Sequence, residues 1–183
     1  MSTIKDILAF NEQFVEEKRY EQYMTDKYPD KKLAIVSCMD TRLTELLPAA
    51  LGLRNGDAKI IKNAGGVISH PFGSVMRSLL VAIFELGVET IMVIGHSNCG
   101  AQHMNAKEMI GHMLEAGISK DHIAMMDYCG IDFETWLAGF GDGEESVSST
   151  VKTIANHPLI PSHVVVQGFI IDSTTGKLAP VSD

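Results

Sequence analysis

The sequence lacks a long hydrophobic run, an excess of basic residues and a linker rich in proline, glycine or serine. Its longest apolar run, residues 79–84, is far shorter than the roughly 20 residues that cross a bilayer, so no membrane partner is predicted. The 15 basic and 23 acidic residues give a formal charge of −8, which opposes nucleic-acid binding. Without a linker or an internal repeat, residues 1–183 are predicted to form a single domain.

Cysteine is scarce too, with only Cys38, Cys99 and Cys129. The N-terminal segment carries charges where a secretion signal would be apolar, so a cytoplasmic location is predicted. In such a reducing compartment thiols serve metal binding or catalysis more often than disulfides. Cys129 has no metal-ligand partner at a suitable spacing, and we predict that it packs in the core, with an interface thiol as the alternative.

The remaining pattern alternates short apolar runs with helical periodicity. Apolar, mostly β-branched runs are typical of parallel strands that are buried on both faces, and a helical repeat of apolar residues between two of them predicts a crossover helix that ends at Gly87. The chain is therefore predicted to be an α/β domain with a mainly parallel central sheet flanked by helices. The predicted strands are 33–37, 59–61, 90–94, 164–171 and an edge strand 177–181; further helices are predicted over 102–116 and 144–156.

An N-terminal helical arm is predicted before the α/β core of residues 31–183. Within this arm, residues 1–30, the apolar positions of 4–28 predict one long helix that Pro29 ends. The helix could pack on the core of its own chain or on a second subunit.

Three side chains have the chemistry of a catalytic zinc site. Zinc prefers thiolate and imidazole ligands in tetrahedral geometry, and a catalytic zinc uses three protein ligands. Cys38 directly follows a predicted strand, and His96 and Cys99 follow another, so the carboxyl ends of parallel strands would bring them together. A helix that begins near Ala101 would favour an ionised Cys99.

Asp40 and Arg42 are predicted to control the fourth coordination position. If Arg42 binds the Asp40 carboxylate, the fourth position stays open to water; if Asp40 binds the metal, the site is closed. Both outcomes remain open at this point, and Asp40 is a conditional fourth ligand.

The motifs Cys38-Met39-Asp40-Thr41-Arg42 and His96-Ser97-Asn98-Cys99-Gly100 resemble those of the β-class carbonic anhydrases. The loop 62–66, the helix 77–87 and the closing segment 166–178 are also similar to that family, so the resemblance covers roughly residues 31–180. The short chain looks like the compact microbial branch.

The resemblance implies a lyase with one zinc ion per chain, in which zinc-bound hydroxide hydrates carbon dioxide reversibly to bicarbonate and a proton. It assigns Cys38, His96 and Cys99 to the metal, and Asp40 and Arg42 to catalysis as a gating pair. It also implies a homodimer, or a dimer of dimers, as the assembly.

Other residues near these motifs have two possible roles each. Asn63 and Gly65 are predicted to line the substrate pocket, although a turn that needs glycine explains them as well. His70 and His103 could relay protons or simply form hydrogen bonds.

Two alternative functions remain. The same site could hydrolyse carbonyl sulfide or carbon disulfide, as related sites do. Alternatively, Asp40 could close the coordination permanently, which would make the chain a non-catalytic zinc-binding protein.

Overall fold

A five-stranded sheet forms the centre of the computed structural model, which describes residues 3–182. Its strands are β1 (Leu33–Cys38), β2 (Ala58–Asn63), β3 (Thr90–His96), β4 (Val165–Ile171) and β5 (Leu178–Pro180). They lie in the order β2-β1-β3-β4-β5. The pairs among β1 to β4 are parallel and β5 pairs antiparallel with β4 at the edge, so the predicted α/β class is confirmed.

Seven α-helices accompany the sheet within residues 3–182. They are α1 (Thr3–Glu16), α2 (Leu43–Ala50), α3 (Ser74–Phe84), α4 (Ala106–Glu115), α5 (Lys120–Tyr128), α6 (Phe133–Trp136) and α7 (Gly143–Ala155). Short 3-10 turns occupy Arg19–Tyr23, Ala64–Gly66 and Gly100–His103.

The core lies on both faces of the sheet because the central strands are apolar on both sides. On one face, fully buried residues of α3 and α7, such as Leu79 and Ile154, pack against β1 and β3. On the other face, Leu43 and Leu47 of α2 pack against Ile35. Burial on both faces explains why these strands read as continuous apolar runs.

The order in which strands are added to the sheet reverses between β1 and β3. From β1 the chain passes to β2 on one side, and from there it crosses to β3 on the other side. Ligands of open α/β sheets bind at such a switch point, outside the carboxyl ends of the strands. Cys38 and His96 are the last residues of these two strands.

The predicted single helix over residues 4–28 is wrong beyond Glu16. Lys18 adopts a left-handed conformation, with φ of 54°, and a separate 3-10 turn follows. In addition, no residue of α1 is buried, so this helix does not pack on the core of its own chain, whereas Pro29 at the end of the arm is buried.

Two further predictions need correction. The helix predicted over 102–116 starts only at Ala106, where the Asn105 side chain accepts hydrogen bonds from the first free backbone amides of α4. Cys129 is exposed, not packed in the core, because it follows α5, a helix that has no buried residue. None of the helices in residues 3–182 is both long and apolar enough to span a membrane.

Candidate metal centre

Cys38, His96 and Cys99 converge at the carboxyl edge of β1 and β3. The parallel register pairs Ser37 with Ile94, so Cys38 ends one strand beside the last residues of the other. All three side chains are buried, with 4 to 5% of their surface exposed, and one potential ligand atom from each lies within 4.8 Å of the others. The three side chains therefore come together, as the sequence predicts.

The spacing of these atoms fits a tetrahedral zinc ion. Two sulfurs that are each about 2.3 Å from a tetrahedral zinc lie about 3.8 Å apart. The Cys38 and Cys99 Sγ atoms are 3.8 Å apart. His96 Nε2 is buried without a hydrogen-bond partner. Since a buried polar atom normally has a partner, this nitrogen suits the third ligand.

Backbone amides compensate part of the burial of Cys99. Burial raises the pKa of the Cys99 thiol, and hydrogen bonds from the backbone amides of Ala101 and Gln102 oppose that rise. The predicted α-helix near Ala101 is only a 3-10 turn, and its amides do not outweigh the burial, so the net pKa of Cys99 is raised and not lowered as the sequence predicts.

Asp40 is held by Arg42 through three hydrogen bonds. The Arg42 backbone N–H and Nε donate to Asp40 Oδ1, each at 2.9 Å, and Nη2 donates to Oδ2 at 2.8 Å. Arg42 Nη2 also donates to the Asn98 carbonyl oxygen at 2.9 Å. The arginine thus ties the Asp40 loop to the turn that carries Cys99.

The same contacts keep Asp40 ionised. The hydrogen bonds from Arg42 hold the pKa of the Asp40 carboxyl well below its usual range, and Asp40 in turn raises the pKa of Arg42. Asp40 Oδ2 lies 3.8 Å from His96 Nε2, so the carboxylate borders the candidate ligands.

Asn63 and Gly65 shape the loop that follows β2. The Asn63 amide nitrogen donates to the Val67 carbonyl oxygen at 2.6 Å, and its Oδ1 accepts from the Val67 N–H at 3.1 Å. Gly65 has a positive φ of 82°, which favours glycine. These contacts explain both residues through the turn, although Asn63 and His70 also border a cavity of about 90 Å³. Their role in substrate binding stays a prediction.

The two other histidines considered for proton relay lie at the surface. His70 is exposed, and its Nδ1 accepts a hydrogen bond from the Phe72 N–H at 3.0 Å. His103 is exposed at the end of the 3-10 turn. Neither residue is part of the cluster formed by the three candidate ligands.

Sequence reasoning assigned no role to two residues around the centre, Lys62 and Ser173. Lys62 on β2 donates from Nζ to the Leu43 carbonyl oxygen at 3.1 Å; burial lowers its pKa, and the charges of Cys38 and Asp40 raise it. The available signal was its position at the carboxyl end of β2, directly before Asn63. Ser173, which is buried next to Ser97, gave no comparable signal because it lies 76 positions away in the chain.

Two comparisons with known proteins match this chain to carbonic anhydrases. The family model for carbonic anhydrase matches residues 33–178. YvdA of Bacillus subtilis, which bears a provisional carbonic anhydrase name, is 53% identical over 178 residues, covering 97% of this chain and 90% of that protein.

A solved structure and a more distant relative add to this. The crystal structure of β-carbonic anhydrase isoform I from the protozoan Trichomonas vaginalis matches with a TM-score of 0.91 and 33% identity, covering 100% of this chain and 99% of that chain. A carbon disulfide hydrolase of Acidithiobacillus thiooxidans is 31% identical over 159 residues, covering 82% of this chain and 77% of that protein.

We predict that the purified chain retains one zinc ion after dialysis, as measured by elemental analysis. Cys99→Ser is expected to lose this ion, because the variant replaces a thiolate by a weak neutral ligand. Cys129→Ser is the matched control, since it removes the exposed cysteine and should keep full zinc. Equal zinc content in both variants would contradict the assignment.

Proposed function

This chain belongs to the β-carbonic anhydrase family, and from that premise we propose that it catalyses the zinc-dependent, reversible hydration of carbon dioxide to bicarbonate and a proton. The observation that carries the proposal is the buried cluster of Cys38, His96 and Cys99, in which the two sulfurs have the separation of zinc ligands. Cys38, His96 and Cys99 would hold one zinc ion per chain. Bound there, zinc would act as a Lewis acid that makes water nucleophilic near neutral pH.

Asp40 is proposed to orient the attacking water through Oδ2. A carboxylate oxygen accepts about two hydrogen bonds. Oδ1 already accepts two from Arg42, whereas Oδ2 accepts one, so Oδ2 retains an acceptor position on the side of His96. Because the pKa of Asp40 is lowered, this position accepts a hydrogen bond over the whole neutral range.

Arg42 is proposed to prevent Asp40 from becoming the fourth metal ligand. To reach the metal, Asp40 would have to give up three charge-assisted hydrogen bonds, which are among the stronger ones in proteins. As long as Arg42 holds Asp40 in this way, the fourth coordination position would stay accessible. This arrangement argues against the alternative of a non-catalytic zinc protein closed by Asp40.

Hydrolysis of carbon disulfide or carbonyl sulfide is the second candidate function. It is favoured by the relative from Acidithiobacillus thiooxidans, which is named a carbon disulfide hydrolase. The higher identity to YvdA, which bears a provisional carbonic anhydrase name, supports carbon dioxide as the first candidate substrate. The cytoplasmic location proposed from the sequence suits both candidates, because a reducing compartment keeps thiol ligands unpaired.

We predict that zinc-loaded protein accelerates carbon dioxide hydration, with kcat/KM above about 10⁴ M⁻¹ s⁻¹ in stopped-flow assays. The rate should rise from neutral to mildly alkaline pH because hydroxide is the attacking species. Cys99→Ser should show only the background rate.

Full zinc occupancy without carbon dioxide turnover would contradict the proposal. Turnover of carbon disulfide or carbonyl sulfide by that same sample would then support the second candidate. No turnover of any of the three gases would support the closed, non-catalytic site.

Arg42→Ala is predicted to lower kcat/KM for carbon dioxide at least about tenfold, because Asp40 loses its clamp and becomes free to bind the metal. Arg42→Lys should fall between the two proteins, since lysine keeps the charge but not the two-pronged geometry. Arg54→Ala, which changes an exposed arginine elsewhere, is the control. A crystal structure of zinc-loaded Arg42→Ala with Asp40 away from the metal would be evidence against the gating role.

A homodimer is the proposed minimal assembly. The stripe on α1 formed by Ile4, Ile7, Leu8 and Val15 is 53 to 69% exposed in the single chain. A helix of 14 residues is marginal in water unless its apolar stripe is packed. A second copy of the chain would cover this stripe, and a dimer of dimers would use a further surface.

We predict that the protein sediments as a dimer or a larger even assembly, and that Ile7→Glu with Leu8→Glu converts it to a monomer. The reason is that two charges would then have to be buried in the interface. Ala9→Glu with Gln13→Glu adds two acidic residues to the opposite face of α1 and should leave the assembly intact. A wild-type monomer at micromolar concentration would refute the dimer.

A further inference from the structure

The half-buried Ser97 and the buried Ser173 lie next to the metal-ligand candidate His96. Ser97 follows His96 at the end of β3, and Ser173 lies just beyond the end of β4. Ser173 is 6% exposed. Its backbone N–H donates to Ser97 Oγ at 3.0 Å, its Oγ donates to the Ser97 carbonyl oxygen at 3.1 Å, and the two Oγ atoms are 3.2 Å apart.

The hydrogens of this cluster can be assigned without conflict. The Ser173 hydroxyl donates its hydrogen to the Ser97 carbonyl oxygen. In the contact between the two hydroxyls, the Ser97 hydroxyl is therefore the donor and Ser173 Oγ the acceptor. Ser97 Oγ in turn accepts from the Ser173 N–H. Each donor therefore has one acceptor, and the two residues form a closed, fully satisfied unit.

The Ser97 carbonyl oxygen also determines which nitrogen of the His96 ring carries the hydrogen. His96 Nδ1 lies 2.9 Å from this oxygen. A carbonyl oxygen only accepts hydrogen bonds, so the hydrogen must be on Nδ1 and the lone pair on Nε2. Nε2 is the buried atom without a partner that suits the metal. The carbonyl group thus sets both the tautomer and the direction of the ligand lone pair.

We propose that Ser173 is a positioning residue for His96, which it aligns for the metal by holding the Ser97 carbonyl group with its hydroxyl. The Ser97 carbonyl oxygen then accepts two hydrogen bonds, one from His96 and one from Ser173, and both of its lone pairs are used. The Ser97 backbone is also anchored to β4 by the bond from its N–H to the Ile171 carbonyl oxygen, 3.0 Å long. Ser173 adds the constraint on the carbonyl side. This inference rests on the metal-binding part of the proposed function and not on the substrate.

The test measures metal affinity by competition with a chelator, together with the visible absorption of the cobalt-substituted protein. Ser173→Ala is expected to weaken zinc binding roughly tenfold, the lower end of the effect of losing a partner behind a ligand. Its cobalt bands should shift, because the imidazole is less well aligned. Ser173→Thr keeps the hydroxyl and should keep both the zinc affinity and the cobalt spectrum of the wild type.

Two further variants separate positioning from general stability. Ser97→Ala removes the other hydroxyl but keeps the Ser97 carbonyl group and its bond from Ser173, so zinc affinity should change less than about threefold. Thr174→Ala, on the exposed neighbour in the same turn, should have no effect. If Ser97→Ala weakened zinc binding as much as Ser173→Ala, or if Ser173→Ala kept wild-type affinity and spectrum, the proposal would be overturned.

A measurement on the wild type does not depend on the folding of any variant. Long-range proton–nitrogen correlation spectra should show the His96 ring with its hydrogen on Nδ1. A ring with its hydrogen on Nε2 would overturn the proposal. These readouts do not involve carbon dioxide, so a failure here is distinct from a failure of the proposed reaction.

Discussion

The parallel pairing of β1 with β3 is the constraint on which the candidate metal centre depends. Its register sets Ser37 opposite Ile94 and leaves Cys38 and His96 at the adjoining strand ends. Because side chains alternate along a strand, a shift of one residue would turn Cys38 to the other face of the sheet. Fully buried apolar residues on both faces of these strands hold the register. The ligand geometry is thus secured by the core and not by the loops alone.

Two consecutive carbonyl groups then orient the polar groups around the centre. The Ser97 carbonyl oxygen accepts from His96, and the Asn98 carbonyl oxygen accepts from Arg42. Asn98 adopts a left-handed conformation with φ of 53°, which asparagine tolerates better than most residues. The sharp turn lets one short segment, residues 96–99, supply two candidate ligands and two backbone acceptors. Its compactness explains why the motif is so specific at the level of sequence.

The sequence predicted the strands, the convergence of the three candidate ligands and the proximity of Asp40 to Arg42, because each depends on local pattern or on the order of parallel strands. It failed where the outcome depends on single backbone angles or on tertiary packing. The left-handed Lys18 that ends the first helix is an example of the former, and the exposed Cys129 of the latter. Ser173 was beyond prediction, since its partner Ser97 is brought to it only by the pairing of β3 with β4. Whether Asp40 is clamped required the side-chain geometry of Arg42.

The local charge at the centre differs from that of the whole chain, which carries −8. Two thiolates would balance a divalent zinc, and Arg42 balances Asp40. Lys62 on β2 is then an additional cation beside these two balanced pairs. A partly buried charge is screened less by salt than an exposed one. The centre would therefore be locally cationic inside an acidic protein. A cationic centre favours the two anions of the proposed reaction, hydroxide and bicarbonate.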